Sequence, residues 1–272
     1  MRRNTLALVG LAALALTTIV LVILSFLHVR PDPASITAVP GDAGAVQPAP
    51  TQVVEPRPST VANIREALDG DEPMVILVLG DATGMDDGTA RATRWVSRWA
   101  EELAEERPVT VAVRQSDGEF GPAEEFGEGE GTPIEIRNAS NQPSRMVDVL
   151  AQAPLLITDD VDLVVMSFGH SEQAAEIAGQ LDELWDRVPP QTMGLVMAQN
   201  PQRGGGAAGQ QSRVEAVTAW AEENELPLVD VFNAFLDAPE PLSQLLGRDQ
   251  INPSERGSQI WTEAIVDALE AE

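Results

Sequence analysis

The feature that most constrains the fold is an alternation of short apolar runs with longer amphipathic runs from about Val61 onward. The first apolar run, 74–79, has no polar residue, as expected of a strand buried on both faces of a sheet. The longer runs place apolar residues at three- and four-residue spacing, which is typical of helices that cover a sheet. The alternation predicts an α/β fold of the flavodoxin-like type, with a parallel sheet between two layers of helices.

The same pattern gives the expected positions of the remaining elements. Further strands are predicted at 109–113, 133–137, 162–168, 193–198 and 227–231, and helices at 89–105, 172–187, 211–224 and 254–269. The acidic, Gly-rich stretch 116–131 between two of these strands is expected to be a surface loop or a loose hairpin. Because the spacing of its Asp and Glu residues matches no EF-hand loop, we expect no metal site there. We also expect the protein to use no cofactor.

A different composition precedes this region. Residues 5–27 are uncharged and mostly Leu, Val, Ala and Ile, which is enough to span a bilayer as one helix. Arg2 and Arg3 predict a cytoplasmic amino terminus, and no small-residue cleavage site follows the apolar segment. We therefore expect an uncleaved signal anchor at 1–30, a Pro-rich extracytoplasmic linker at 31–60 and one folded domain at 61–272.

Charge and residue usage exclude several classes of function. The 43 acidic and 17 basic residues give a net charge of −26, which opposes binding to nucleic acid. The chain contains no Cys and no Lys, so thiolate, disulfide and Schiff-base chemistry are excluded.

Polar segments follow the predicted strands at the edge where parallel sheets form their sites. They are Gly-Asp-Ala-Thr-Gly at 80–84, Asn-Ala-Ser at 138–140, Gly-His-Ser-Glu at 169–172 and Asp-Gln-Ile-Asn-Pro at 249–253. In this order they resemble the sequence blocks of the SGNH (GDSL) ester hydrolases, notably G-D-S, G-x-N-D and D-x-x-H-P. Together with Gln-Asn-Pro at 199–201 and Trp261, the set is similar to membrane-anchored SGNH proteins of actinobacterial cell surfaces.

The resemblance implies a catalytic role for three positions, two of which carry residues that cannot perform it. Ala82 stands where the family has its nucleophilic serine, and a methyl group cannot attack a carbonyl. Asn252 stands where the family has its histidine base, and an amide does not exchange a proton near neutral pH. Asp249 matches the family's acid. We expect Asn252 to cap the last helix.

The resemblance also implies which residues line the site and stabilise an oxyanion. The backbone N–H of Ser140 and the side chain of Ser171 match the family's Gly and Asn donors, while Pro143 replaces a later Gly. The expected binding residues are Gly80, Asp81, Thr83, Asn138, Ser140, Gly169 and Ser171.

Three functions remain open from the sequence. The first is a membrane-anchored, extracytoplasmic pseudoenzyme that binds a cell-envelope ligand or partner, such as an acylated glycan, a lipid or an envelope protein. The second is an active esterase or acyltransferase that uses His170 as base with Thr83 or Ser171 as nucleophile, oriented by Asp81 or Glu172. The third is a structural interaction protein of the envelope.

Overall fold

The computed structural model describes residues 58–85, 94–127, 131–140 and 145–271. The predicted anchor, the linker up to residue 57 and Pro143 lie outside the described residues. Within those residues, no helix is both long and apolar enough to cross a membrane. The anchor and its topology therefore stay predictions.

The described chain contains seven strands and nine α-helices, which alternate along much of its length. The strands are β1 (Met74–Gly80), β2 (Val109–Val113), β3 (Glu124–Phe126), β4 (Ile134–Asn138), β5 (Leu163–Ser167), β6 (Met193–Ala198) and β7 (Leu228–Asp230). The α-helices are α1 (Val61–Asp69), α2 (Trp95–Leu103), α3 (Met146–Leu150), α4 (Ala153–Leu156), α5 (Ala174–Trp185), α6 (Gln210–Glu223), α7 (Val231–Asp237), α8 (Leu242–Leu245) and α9 (Glu255–Glu270).

The seven strands form one sheet in the order β3-β2-β4-β1-β5-β6-β7. Five neighbouring strands, in the spatial order β4-β1-β5-β6-β7, have the flavodoxin-like arrangement. In this arrangement β4 lies on one side of β1, and the chain then crosses to β5 on the other side. All neighbouring pairs are parallel except β2 with β3. The carboxyl ends of the parallel strands therefore meet at one edge, where the predicted site segments lie.

The sheet divides the core into two layers because its central strand sends alternate residues to opposite faces. Ile76 and Val78 of β1 pack with residues of α1, α2, α7, α8 and α9. Leu77 and Leu79 pack on the other face with residues of α3, α4, α5 and α6. This confirms the three-layer α/β/α arrangement.

Aromatic residues fill much of the first layer. Trp95 of α2 stacks on Trp261 of α9 with ring centroids 5.2 Å apart, and Phe235 of α7 meets the same indole edge-on. Trp261 also donates from Nε1 to the sulfur of Met197 in β6. These contacts hold α9 against the sheet and so fix the segment that precedes it.

Two predictions about elements are wrong in detail. The sheet is not wholly parallel, because Glu124–Phe126, inside the acidic stretch, forms an antiparallel edge strand with β2. The last helix begins at Glu255, and its N-cap is Ser254, whose side chain accepts from the N–H of Gly257. Asn252 is not the cap because Pro253 next to it pairs with Leu246 in a short antiparallel bridge.

Candidate functional site

The turn after β1 is held by the side chain of Asp81. Its Oδ1 accepts from the backbone N–H of Thr83 at 3.0 Å and from the Thr83 hydroxyl at 2.8 Å, which closes the short 3-10 turn Ala82–Gly84. Gly84 is required there because a Cβ atom would lie 2.6 Å from Oγ of Ser140. The turn therefore packs directly against the segment that follows β4.

Gln199, at the end of β6, joins this turn to the neighbouring strands. Its amide nitrogen lies within hydrogen-bond distance of Asp81 Oδ1, Thr83 Oγ1 and the carbonyl of Ser167, at 3.0, 3.1 and 2.8 Å. Its amide oxygen accepts from the N–H of His170 at 3.0 Å. The buried Gln199 side chain thus ties together the carboxyl ends of β1, β5 and β6.

His170 lies within the same group of side chains. Its Nε2 is 2.8 Å from the carbonyl oxygen of Asn200, and its Nδ1 is 4.0 Å from Oδ2 of Asp81. The two side chains are only 5% and 6% exposed. We call this group of hydrogen-bonded residues the polar cluster: Asp81, Thr83, Ser167, His170, Gln199 and Asn200.

The second predicted segment contributes through Asn138. Its side chain donates to the carbonyl of Gly84 at 2.7 Å and accepts from the N–H of Ser140 at 3.0 Å. Asn138 and Ser140 are both fully buried. This segment therefore braces the first turn.

The fourth segment is organised by Asp249. Its Oδ1 accepts from the N–H groups of Ile251 and Asn252, and its Oδ2 accepts from the Asn252 side chain at 2.6 Å. Asn200 connects this segment to the polar cluster by donating to the carbonyl of Ile251 at 2.9 Å. Hydrogen bonds thus link all four segments.

A second buried carboxyl group lies beside the cluster. Glu172 accepts from the backbone N–H groups of Met146 and Ser171. Burial raises the pKa of Glu172 above its ordinary value of 4.5, and the charge of Asp81 also raises it, although the bond from Met146 opposes both effects. Within the described ranges, no group of three or more His, Asp and Glu side chains is arranged to hold a metal ion.

Comparison with known proteins identifies the architecture. No protein-family model matches the sequence, and no curated protein matches it. Solved structures match the fold, among them TesA (19% identity, 72% of this chain and 98% of that chain, TM-score 0.53), a protein from Slackia heliotrinireducens described as an SGNH hydrolase (16%, 73% and 100%, 0.51), and an acetyl xylan esterase from Geobacillus stearothermophilus (17%, 73% and 95%, 0.51). The chain has the SGNH-hydrolase fold.

Within this fold, the residues at the serine and histidine positions make structural contacts. Ala82 is the first residue of the 3-10 turn and offers only a methyl group. The Asn252 amide donates to Asp249, so an amide occupies the hydrogen bond that an imidazole N–H makes to a carboxylate in a catalytic triad. The Asn252–Asp249 contact thus has the form of a His–Asp hydrogen bond without a group that can transfer a proton.

One of the two expected oxyanion donors, the N–H of Ser140, makes a hydrogen bond within the structure. The N–H of Ser140, which the sequence indicated as a donor, is hydrogen-bonded to Asn138 Oδ1. Ser171 is exposed, and its own N–H points to Glu172. The expectation that Ser140 offers a free N–H is therefore wrong, because a local side chain takes that donor.

The proposed alternative nucleophile and base are not paired with each other. The Thr83 hydroxyl is buried and donates to Asp81, while His170 Nε2 is bonded to the Asn200 carbonyl. Asp81 Oδ2 is too far from His170 Nδ1 for a hydrogen bond. Gly169, beside His170, has φ +144°, a backbone conformation that favours glycine, and the His170 side chain that follows it is buried.

Residues at the site that sequence reasoning did not assign a role include Gln199, Asn200 and Gln210. The Gln210 side chain donates to the carbonyl of Asn200 at 2.7 Å and accepts from the N–H of Gln202. The available signal was the position of Gln-Asn at 199–200 immediately after β6, at the same sheet edge as the other segments.

Proposed function

We propose that this protein is a membrane-anchored, extracytoplasmic pseudoenzyme that uses an SGNH-hydrolase fold to bind a cell-envelope ligand without cleaving it. The observation that carries the proposal is the Asn252 amide bonded to Asp249 at 2.6 Å. An amide in that position cannot remove a proton from a nucleophile, and Ala82 provides no nucleophile to activate.

The loss of the oxyanion donors supports the same conclusion. In ester hydrolysis, removing a single preorganised donor slows the reaction by about 10²–10³-fold. Here the Ser140 N–H is bonded to Asn138, and the residue at the family's Asn position, Ser171, is exposed. Nucleophile, base and oxyanion site are therefore impaired together.

Retention of a buried polar network at the sheet edge supports binding over a purely structural role. A structural domain could fill this edge with apolar side chains at little cost, since buried polar groups need matched partners. Instead, Asp81, Ser140, His170, Asn200 and Asn252 each have a buried side-chain atom without a hydrogen-bond partner within the described residues. The envelope location and the acylated-glycan or lipid class of ligand rest on the predicted anchor and on the sequence resemblance.

Fluorophosphonate labelling of the full-length protein tests the absence of a nucleophile. We expect no labelling of the folded wild-type chain, because Thr83 is buried and bonded to Asp81. Labelling that disappears in a His170→Ala variant would instead support the relocated esterase. A separate thermal-shift screen of cell-wall and lipid fragments should reveal a stabilising ligand, and a chain that no fragment stabilises would favour the structural alternative.

A further inference from the structure

Two buried atoms of the polar cluster face each other without a hydrogen bond. Oδ2 of Asp81 and Nδ1 of His170 are 4.0 Å apart, and neither has a partner within the described residues. Both side chains are more than nine-tenths buried. Leaving buried polar atoms unpaired is unfavourable, so their placement calls for a hydrogen-bond partner that the described residues do not provide.

The partner of Nε2 defines the role of Nδ1. The carbonyl oxygen of Asn200 can only accept, so Nε2 of His170 carries a hydrogen and donates to it. In the neutral imidazole, Nδ1 is then an acceptor. Oδ1 of Asp81 already accepts from Thr83 N, Thr83 Oγ1 and Gln199 Nε2, and these three donors match a carboxylate. The pair therefore presents two acceptors.

The spacing of the two acceptors selects the group that can satisfy both. Consider one donor atom that forms hydrogen bonds of about 2.8 Å to both acceptors. The angle between the two bonds at that atom would be roughly 90°, which an atom carrying at least two hydrogens can accommodate. A hydroxyl has one hydrogen and satisfies one acceptor, whereas a water molecule, a primary amide nitrogen and an ammonium group each carry enough hydrogens for both. A carboxylate has none and is repelled by Asp81.

The electrostatic surroundings favour a positive charge on that atom. Glu172 interacts electrostatically with Asp81, Arg213 lies beside His170 and offsets part of this negative charge, and the whole chain carries a net charge of −26. Any donor makes a charge-assisted hydrogen bond to the Asp81 carboxylate, and a cationic donor adds a Coulomb attraction that a neutral donor lacks. Ala82, next to Asp81, is half-buried and Ser171, next to His170, is exposed, while the two acceptor atoms themselves are shielded from solvent.

We propose that Asp81 Oδ2 and His170 Nδ1 form a recognition site for a primary ammonium group of the ligand. This inference rests on the proposed binding function and specifies the chemistry of the ligand. At this edge one expected oxyanion donor, the N–H of Ser140, is bonded to Asn138, while Asp81 Oδ2 and His170 Nδ1 present acceptors.

Isothermal titration of the full-length protein in detergent micelles, with three matched two-carbon probes, tests the proposal. Ethanolamine, ethylene glycol and glycolate share a hydroxyl end and differ in carrying an ammonium, a hydroxyl or a carboxylate at the other. We expect ethanolamine to bind about tenfold more tightly than ethylene glycol, and glycolate to bind least. Equal affinities, a preference for glycolate or no binding of ethanolamine would overturn the proposal.

Two substitutions localise the effect. Asp81→Asn keeps an oxygen for Thr83 and Gln199 but replaces Oδ2 by an amide, and should weaken ethanolamine binding about tenfold. Asp230→Asn removes one carboxylate at the neighbouring end of β7, where Asn also caps a helix well, and should change binding less than about twofold. If Asp81→Asn does not fold, His170→Phe serves instead, with the same expected loss. Equal effects of the site and control substitutions would contradict a local ammonium site.

Nitrogen-15 NMR of the imidazole in a His28→Gln background checks the assumed proton positions, because His170 is then the single histidine. We expect Nδ1 to be the unprotonated nitrogen and to shift when ethanolamine is added. A ring protonated on both nitrogens and unaffected by the amine would mean that His170 pairs with Asp81 directly, which would overturn the proposal. Ester hydrolysis by the same protein would refute the proposed function independently. Glucosamine and glycerophosphoethanolamine then separate an amino-sugar source from a lipid headgroup.

Discussion

At the scale of single residues, the positions that resemble the catalytic serine and histidine of SGNH hydrolases make structural contacts. Asn252 donates to Asp249, and Ala82 begins the tight turn after β1. Neither an amide nor a methyl group can remove a proton from a nucleophile or attack a carbonyl.

The buried Glu172 makes a pH-dependent contribution to stability. Its raised pKa means that the folded state binds the proton more tightly than the unfolded state, so the folded protein loses stability as the pH rises above about 4.5. A Glu172→Gln variant keeps an acceptor for Met146 and cannot ionise. The unfolding free energy of wild type relative to this variant should fall with rising pH, by at most about 1.4 kcal/mol per unit.

Urea unfolding at a series of pH values measures this difference. Glu176→Gln on α5, an exposed position, controls for the loss of a charge. A wild-type stability that stays constant or rises relative to Glu172→Gln would contradict the assigned burial effect.

The sequence predicted some residues of the site and not others for a physical reason. Ala82, Asn252 and Asp249 were found because their roles depend on position within short local motifs. The engagement of the Ser140 N–H by Asn138 is a local contact that comparison of motifs does not reveal, whereas the four-way contact of Gln199 depends on partners brought together by the sheet. Motifs specify what a residue can donate or accept, whereas the fold decides whether that group is still free.

At the scale of elements, close packing of the last helix explains how its preceding segment is fixed. Gly257 in α9 lies against the end of α8, where a Cβ atom would be 2.1 Å from the carbonyl oxygen of Leu245. Next to this contact, Leu246 pairs with Pro253 in an antiparallel bridge, and the N–H of Ser254 donates to the carbonyl oxygen of Leu245. The position of Asn252 therefore depends on this helix contact.

Substituting Gly257 by Ala tests that contact. The added methyl group must displace backbone, so the free energy of unfolding should fall by about 1–3 kcal/mol. Gly179→Ala in α5 is the matched control: no atom lies within 4 Å of the added Cβ, and the helix propensity of Ala should make it neutral or stabilising by up to about 1 kcal/mol. Chemical denaturation measures both, and equal effects of the two substitutions would contradict the packing described.

The strands and main helices were predictable because each carries its own pattern of apolar residues. The predicted strand 109–113 coincides with β2, and 193–198 coincides with β6. The start of α9 was misplaced because Asn252-Pro253 has the composition of a helix start, while the actual cap, Ser254, is decided by the bridge between Pro253 and Leu246. That bridge is a tertiary contact, which local propensity does not encode.

At the scale of the whole molecule, the α/β class followed from the sequence and the sheet order did not. Seven strands lie in one sheet, and β2 and β3 extend it beyond the flavodoxin-like set of five. Strand pairing joins residues far apart in the chain, such as Met74 with Ile134, so the order is set by the packed core. The negative charge of the chain opposes binding to nucleic acid but identifies no partner.

The central claim is that this SGNH fold binds without hydrolysing, and turnover of short acyl esters tests it most directly. The rate for the full-length wild-type protein is compared with that of the Ala82→Ser, Asn252→His double variant. We predict no wild-type turnover above the uncatalysed rate, and at most a small gain in the variant, because Ser140 N–H stays bonded to Asn138 and Ser171 stays exposed. Wild-type turnover that is lost on His170→Ala substitution would contradict the account.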